Sequence, residues 1–314
     1  MNQGTHPEDV SAEVLGDVAS VVESEVTVLG RLPGGVNGGA WRVQLAGRAN
    51  AVLKAVPRAH ANHLDEMLRA QRVVEHMRGR GYPTPAWLGV GATANRVWHL
   101  TDFVDATPAP ELPASLVEQL MEIVELQAGQ ASEPYDHWSY AWRVATGQGP
   151  AVAGLDLTET PEQSLLRQSV ARLSGHSSVV SALVERLRLL CADAPPPAEA
   201  PDMVHADLAT PGNVLVRDGA VVAVVDIGNA GSGTRAIDLT TLLWYTFQDP
   251  LLDGVRRRLW TRVLDLVGGE GAAVLAAAHI LHMLEIPIRL RRHDLVPGVV
   301  ERGHRVLDEL NALG

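Results

Sequence analysis

The chain has 314 residues, of which 46% are hydrophobic and 20% are charged, and its formal net charge is −11. That length exceeds one typical domain and leaves room for a core in each of two lobes. The negative charge disfavours nucleic acid as a partner, because its phosphates would be repelled. No apolar run approaches the roughly 20 residues that span a bilayer, and the polar, acidic N-terminus is not typical of a signal peptide. We therefore expect a cytoplasmic protein with no membrane partner, and its single cysteine excludes an intrachain disulfide.

The first feature along the chain is a glycine-rich segment between two candidate strands, with glycine pairs that include Gly34, Gly35 and Gly38. Glycines let backbone amides approach phosphate oxygens closely. The pattern is neither G-x-G-x-x-G nor a Walker P-loop, so a glycine-rich hairpin without a ligand is an open alternative. Its position one strand ahead of Lys54 favours phosphate binding.

Lys54 is the only lysine among 26 basic residues. It lies in an apolar run, residues 51–56, which resembles the V-A-I-K strand of protein kinases, where the lysine grips the nucleotide phosphates. Lysine is a compact point charge on a flexible stem, whereas arginine is a rigid planar fork. A chain that uses arginine elsewhere and lysine here points to a specific role, although a lone lysine must fall somewhere.

The rest of the first hundred residues predicts strands and one helix. The helix spans about residues 63–78, and the apolar run at residues 97–100 leads into residues 101–104, which include Thr101 and Phe103. Beyond residue 108, apolar residues at 3.6-residue spacing predict helices over most of the chain, including residues 161–194 and 254–314.

Residues 205–238 contain the strongest short-range signal. Two apolar runs flank Asp218-Gly219, which predicts a tight β-hairpin. In a hairpin centred there, Asn213 lies opposite about Val224, and Asp226 is two residues further at the same end. The hairpin alone is compatible with an ordinary surface turn.

The order of the polar residues argues for chemistry. His205 and Asp207 come from the loop before the hairpin, and Asn213 and Asp226 from its end. Phosphoryl transfer needs a carboxylate to orient and deprotonate a hydroxyl, and oxygen ligands to hold a metal ion. These side chains therefore suit phosphoryl transfer from a magnesium nucleotide.

In this order, the residues resemble the aminoglycoside phosphotransferase family, antibiotic kinases related to choline kinase and to protein kinases. The resemblance runs from about Val26 to about Trp244. It implies an α+β, bilobal, protein-kinase-like fold. The N-terminal lobe, residues 1–104, would be an antiparallel sheet with one main helix. A hinge at about 101–107 would lead to a mostly helical C-terminal lobe, residues 108–314.

The resemblance also assigns roles. Asp207 would be the catalytic base, His205 would brace the catalytic loop, and Asp238 would tie that loop down from the following helix. The remaining residues would hold the cofactors, ATP (or GTP as the alternative donor) and Mg²⁺. Asn213 and Asp226 would bind the metal, Lys54 and the glycines the phosphates, and the backbone around Thr101 and Phe103 the adenine.

Two departures from the family pattern stand out. Asn213 follows Asp207 by six positions rather than the usual five, an extra residue that Gly212 could absorb. The lysine's usual helical partner, a glutamate, is replaced by Ala70. Glu66, one turn earlier, could reach Lys54 instead, or it could be a solvated charge.

Only eleven residues separate Asp226 from Asp238, which leaves no room for a protein-kinase activation segment. We therefore expect a small-molecule kinase. An acidic cleft concentrates cations, so the predicted acceptor is a hydroxyl of a cationic antibiotic, an aminoglycoside or a basic peptide, with resistance as the outcome. Candidate acidic contacts are Asp249, Asp253, Glu285, Asp294 and Glu301. The alternatives are a kinase for choline, homoserine or a thiosugar, and a catalytically impaired binding protein.

Overall fold

The structure is a computed structural model that describes residues 10–32, 39–131, 136–147, 173–210 and 212–313. The chain divides into two compact units: residues 1–110 with 211–228, and residues 111–210 with 229–314. This grouping differs from the predicted lobes because the hairpin at 211–228 belongs to the first unit. The reason is backbone pairing, since the Val224 amide donates to the Pro83 carbonyl at 2.6 Å.

An antiparallel five-stranded sheet forms the first unit, with strand order β1-β2-β3-β5-β4. Its strands are β1 Val26–Leu32, β2 Ala40–Leu45, β3 Asn50–Pro57, β4 Trp87–Ala92 and β5 Arg96–Asp102. Side chains along β3 alternate between buried and partly exposed positions, as expected for a strand with one face in the core. Ala51, Leu53 and Ala55 are buried in a core shared with helix α1, Ala12–Val22, and Lys54 lies on the opposite face.

Helix α2 and a smaller sheet complete the first unit. Helix α2, His63–Gly79, buries Ala70, Val73, Val74 and Met77. The smaller sheet has the order β6-β8-β9 and consists of β6 Thr107–Pro108, β8 Val214–Arg217 and β9 Ala220–Val224. The last two strands are the hairpin predicted around Asp218-Gly219.

The second unit is mostly helical in the part of it that the structure describes. Its helices are α3 Ala114–Glu125, α4 His137–Thr146, α5 Ser178–Cys191, α6 Ala236–Thr246, α7 Asp253–Arg289 and α8 Val296–Leu313. Helix α7 packs against α3, α4, α5, α6 and α8, and it is interrupted at Gly268, whose φ is 68°. Strands β7 Asp202–Val204 and β10 Gly231–Gly233 pair beside them. The predicted helix at 161–194 begins outside the described residues. The predicted α+β class is confirmed.

One helical stretch, Pro250–Arg289, is long and apolar enough to cross a membrane by length and composition. In the structure 61% of its apolar window is buried inside the protein. A core helix of a globular unit has the same properties, so this helix is weak evidence for a membrane span.

The pair Gly91→Ala and Gly16→Ala tests the packing of the first unit. A Cβ at Gly91 would clash with the buried Trp98 ring and lie 2.9 Å from the Asp17 carboxylate, which accepts the Trp98 indole hydrogen bond at 2.7 Å. We expect Gly91→Ala to lower the free energy of unfolding by about 1–3 kcal/mol, the usual cost of overpacking.

Gly16 is the matched control, because it lies exposed inside α1 with open space around its Cβ position. Gly16→Ala should stabilise the protein by up to ~1 kcal/mol through helix propensity. Urea denaturation measures both variants. Equal effects of the two substitutions would contradict the packing described here.

Candidate active site

The loop after β7 is held by the buried carboxylate of Asp238. Its Oδ2 accepts the backbone amide of His205 at 2.7 Å, and its Oδ1 accepts the amide of Ala206 at 2.9 Å. Asp238 belongs to the first turn of α6 and is fully buried. The structure thus makes the contact that the family resemblance implied, a carboxylate that ties down the loop from the following helix.

Gln127 is a third donor to Asp238 and escaped the sequence analysis. Its amide Nε2 donates to Asp238 Oδ2 at 2.9 Å, and the side chain is fully buried. Burial raises the pKa of Asp238, while the neighbouring imidazole of His205 and the hydrogen bonds from His205, Gln127 and Ala206 oppose that rise. No motif surrounds Gln127, so nothing in the sequence distinguishes it from a surface glutamine.

The loop itself is bent so that Asp207 follows a left-handed residue. Ala206 has φ 68°, a conformation that costs an L-residue roughly 1–2 kcal/mol. His205 is fully buried, and its Nδ1 accepts the Asp207 amide at 3.2 Å. The Thr210 hydroxyl donates to Asp207 Oδ1. Thus His205 contacts the backbone it was predicted to brace, and the half-buried Asp207 carboxylate is oriented by Thr210.

An ion-pair network secures the strand that leads into this loop. Asp202, at the start of β7, accepts the Gly129 amide at 2.9 Å and the Arg235 guanidinium at 2.9 Å. Arg235 also pairs with Glu125, which Arg262 holds at 2.7 Å. Hydrogen bonding from Arg262 lowers the pKa of Glu125 despite its partial burial. The network thus links β7 to the residue that precedes α6 and to side chains of α3 and α7.

In the first unit, the ammonium of Lys54 donates to Asp226 Oδ1 at 2.6 Å. The structure therefore brings together two residues 172 positions apart that the sequence analysis assigned to one nucleotide site. Glu66 instead lies 3.4 Å from His60. The partner of Lys54 here is Asp226 and not Glu66.

Asn213 lies one register closer to Asp226 than the sequence predicted. The Val225 amide donates to the Asn213 carbonyl at 2.8 Å, so Asn213 lies opposite Val225 rather than Val224. The cause is a β-bulge between Leu215 and Val216 that takes up one residue of β9. Hairpin arithmetic assumes a regular ladder and cannot anticipate a bulge.

The extra loop residue ahead of Asn213 coincides with an unusual glycine. Gly212 has φ 102°, which L side chains rarely adopt. That conformation agrees with the expectation that Gly212 absorbs the additional residue.

Amide and carboxylate oxygens from Asn213 and Asp226 are the donors that Mg²⁺ prefers, usually one or two carboxylates with substrate phosphates. The donor set fits the ion.

His99 is a further residue near Lys54 that the sequence did not reveal. It pairs with Lys54 across β3 and β5, and its ring stacks on Trp87 at a centroid distance of 4.3 Å. Burial, followed by the charge of Lys54, lowers the pKa of His99 to about 4, while Asp226 opposes the shift. A neutral imidazole therefore lies beside the lysine.

The predicted hinge residues are partly engaged within the first unit. The Phe103 amide donates to the Asn50 carbonyl at 3.2 Å, and the Arg42 guanidinium lies 4.2 Å from the Phe103 ring. Thr101 is buried at the end of β5. A cavity of about 670 Å³ reaches Phe103, but neither Lys54 nor Asp226 lines it. Gly34, Gly35 and Gly38 lie outside the described residues.

The family model and the solved structures that this chain resembles belong to phosphotransferases and kinases. Residues 28–275 match the model of a family described as "Phosphotransferase enzyme family". The search of curated proteins found no match. Among solved structures, aminoglycoside phosphotransferase APH(4)-Ia is similar with a TM-score of 0.65 and 16% identity, over 95% of this chain and 99% of that one.

Two further structures agree. A ternary complex of a thermostable APH(4)-Ia mutant with ADP and hygromycin B gives a TM-score of 0.64 at 16% identity, over 95% of this chain and 98% of that one. A putative fructosamine-3-kinase from Thermobifida fusca YX-ER1 gives 0.56 at 23% identity, over 95% and 100%. At these identities the structures show the fold, and the predicted kinase-like fold is confirmed. Since the family match also covers more than half of the sequence, the chain belongs to the aminoglycoside phosphotransferase family and is a small-molecule kinase.

Proposed function

We propose that this kinase transfers the γ-phosphoryl group of a magnesium nucleotide, ATP or GTP, to a hydroxyl of a small molecule. The observation that carries the proposal is the catalytic loop, in which Asp238 holds the backbone of His205 and Ala206 and Thr210 orients Asp207. The acceptor oxygen forms a bond to phosphorus as the bond to the nucleoside diphosphate oxygen breaks. The hydroxyl proton passes to the Asp207 carboxylate, which acts as general base.

The nucleotide side of the reaction is assigned to the first unit. Asn213 and Asp226 would hold Mg²⁺, which neutralises the charge that develops on the phosphate oxygens. Lys54 now occupies Asp226 Oδ1. When the nucleotide binds, we propose that Lys54 turns to its phosphates and leaves Asp226 for the metal.

Two kinds of acceptor, a cationic antibiotic and a metabolite without excess positive charge, are each supported by an observation. A cationic antibiotic agrees with the net charge of −11 and with the hygromycin B complex of APH(4)-Ia. The local charges are less favourable, because three of the five predicted acidic contacts are already ion-paired with neighbouring arginines. The pairs are Asp253–Arg256, Glu285–Arg289 and Asp294–Arg292. A metabolite without excess positive charge is therefore the second candidate.

The function is tested by incubating the protein with Mg²⁺, labelled ATP or GTP, and a panel of aminoglycosides, basic peptides, choline, homoserine and thiosugars. Mass spectrometry should find one product that has gained a single phosphoryl group. If nucleotide binds but no compound in a broad panel gains phosphate, the impaired binding protein becomes the better account.

Asp226→Ala should abolish phosphoryl transfer and the magnesium-dependent part of nucleotide binding, because it removes a carboxylate ligand of the metal. Isothermal titration with a non-hydrolysable nucleotide, with and without Mg²⁺, measures this directly. Asp308→Ala, which removes an exposed carboxylate from α8, is the control and should bind normally. Near wild-type turnover by Asp226→Ala would show that the metal assignment is wrong.

Lys54→Arg should lower kcat/KM by about 10- to 100-fold, the equivalent of a charge-assisted hydrogen bond of ~1.5–3 kcal/mol. The charge is kept, but a planar fork replaces the compact ammonium at a strand position paired with His99 and in contact with Asp226. Arg48→Lys, a reverse exchange at an exposed turn of the same sheet, should be neutral. A fully active Lys54→Arg enzyme would mean that the lone lysine has no special role.

A further inference from the structure

Arg302 of α8 is a half-buried cation that forms no ion pair with any described residue. Its guanidinium lies 4.9 Å from the ring centre of Trp244, on α6. Burial lowers the pKa of Arg302, and the nearby Tyr245 opposes that shift. Arg256 and Arg289 of α7, and Arg292 just after it, contact carboxylates, whereas Arg305 of α8 donates to the Phe247 carbonyl at 3.0 Å. A partly buried charge without a counter-ion is costly, so its retention at this position points to a use.

Tyr245 links Arg302 to the catalytic loop. Its phenol lies close to Thr210, whose hydroxyl donates to Asp207. Burial raises the pKa of Tyr245, with Asp207 adding to the rise and Thr210 and Arg302 opposing it. Arg302 and the proposed catalytic base thus both lie near the Tyr245 phenol.

The other ionisable side chains around Asp207 do not supply a negative surface. Burial lowers the pKa of His282. The charge of Arg289 lowers this pKa as well, whereas the charges of Glu285 and Asp207 raise it. The imidazole is therefore neutral at physiological pH. Glu285 is neutralised by a two-oxygen contact with Arg289 at 2.9 and 3.2 Å. Among the described residues here, apart from Asp207 itself, the charges without an ion pair are those of Arg302 and its neighbour Arg305, and Arg305 donates to the Phe247 carbonyl.

Two buried polar atoms in the same cluster also have no hydrogen-bond partner in the described part of the chain. They are Trp244 Nε1 and His279 Nε2, whose rings meet edge to face at 5.6 Å. Buried polar atoms are normally paired. The cluster thus combines two buried polar atoms that lack a partner with an arginine that lacks a counter-ion.

We infer that Arg302 binds a carboxylate of the phosphoryl acceptor, so that the substrate is a hydroxy acid rather than a polycation. A planar guanidinium offers two parallel donors to a carboxylate, and one arginine matches one negative charge. The carboxylate would lie near Trp244 and Tyr245, and the acceptor hydroxyl would reach Asp207. This inference rests on the proposed phosphotransferase function and narrows its substrate class.

The inference is tested with pairs of acceptors. One member of each pair carries a carboxylate, and the other carries a hydroxymethyl group or its equivalent at the same carbon. Suitable pairs are glycerate and glycerol, galacturonate and galactose, gluconate and sorbitol, and homoserine and homoserinol, alongside aminoglycosides. Arg302→Met keeps an apolar stem over Trp244, Arg302→Lys keeps the charge without the fork, and Arg292→Met removes an exposed arginine as the control. Product formation with Mg²⁺ and ATP gives KM and kcat for each acceptor.

We expect wild type to prefer the carboxylate member of at least one pair. Arg302→Met should raise the KM for that acceptor by about 10- to 100-fold, as loss of a charge-assisted contact does. It should leave the nucleotide affinity and the KM of the hydroxymethyl partner unchanged. The KM of Arg302→Lys for that acceptor should lie between those of wild type and Arg302→Met. The KM of Arg292→Met should equal that of wild type.

Three results would overturn the inference. One is an equal rise in KM for both members of a pair, which indicates a packing role for Arg302. Another is efficient transfer to aminoglycosides or neutral sugars that Arg302→Met does not alter; the phosphotransferase function then stands without this subsite. If no acceptor is phosphorylated, calorimetry of the same carboxylates on nucleotide-loaded wild type and Arg302→Met decides, and absence of Arg302-dependent binding refutes it. Loss of the proposed function itself is recognised separately, by nucleotide binding that Mg²⁺ and Asp226→Ala do not affect.

Discussion

The buried carboxylate of Asp238 is the constraint on which the loop that carries Asp207 depends. A carboxylate taken out of water costs several kcal/mol unless donors replace the water. Here two consecutive loop amides and Gln127 are those donors, and the N-terminal turn of α6 adds a favourable dipole. The loop can meet Asp238 with two amides in succession only in a bent conformation, which agrees with the left-handed φ of Ala206. The strain is thus held by the same contacts that place Asp207.

A second carboxylate, that of Asp202 in β7, also holds backbone and side-chain donors next to this loop. Asp202 is nearly buried and gathers the Gly129 amide and both the backbone and side chain of Arg235. Because Arg235 directly precedes α6, the residues on either side of the loop are anchored to one another through ionic contacts. The orientation of Asp207 is therefore set by buried electrostatics, and the acceptor chemistry is left to the side chains around it.

The sequence predicted those features that depend on local order along the chain. The hairpin around Asp218-Gly219 and the strand position of Lys54 follow from turn chemistry and strand periodicity. The tie between Asp238 and the loop was implied by the family resemblance. It could not predict the β-bulge in β8 and β9, which moved Asn213 by one register. It also missed Gln127, His99 and Arg302, because each acquires its surroundings only through packing between distant segments. The predicted acidic contacts illustrate the same limit, since composition counts carboxylates but not the arginines that neutralise them.

The central claim is that Asp207 accepts the proton of the attacking hydroxyl. Single-turnover transfer of a labelled phosphoryl group by Asp207→Asn, with the acceptor that wild type phosphorylates, tests it most directly. The account predicts a rate lower by about 10²–10⁴-fold, the usual contribution of general acid–base catalysis. Nucleotide affinity should be nearly unchanged. Transfer by Asp207→Asn at the wild-type rate would contradict the claim and remove this residue from the mechanism.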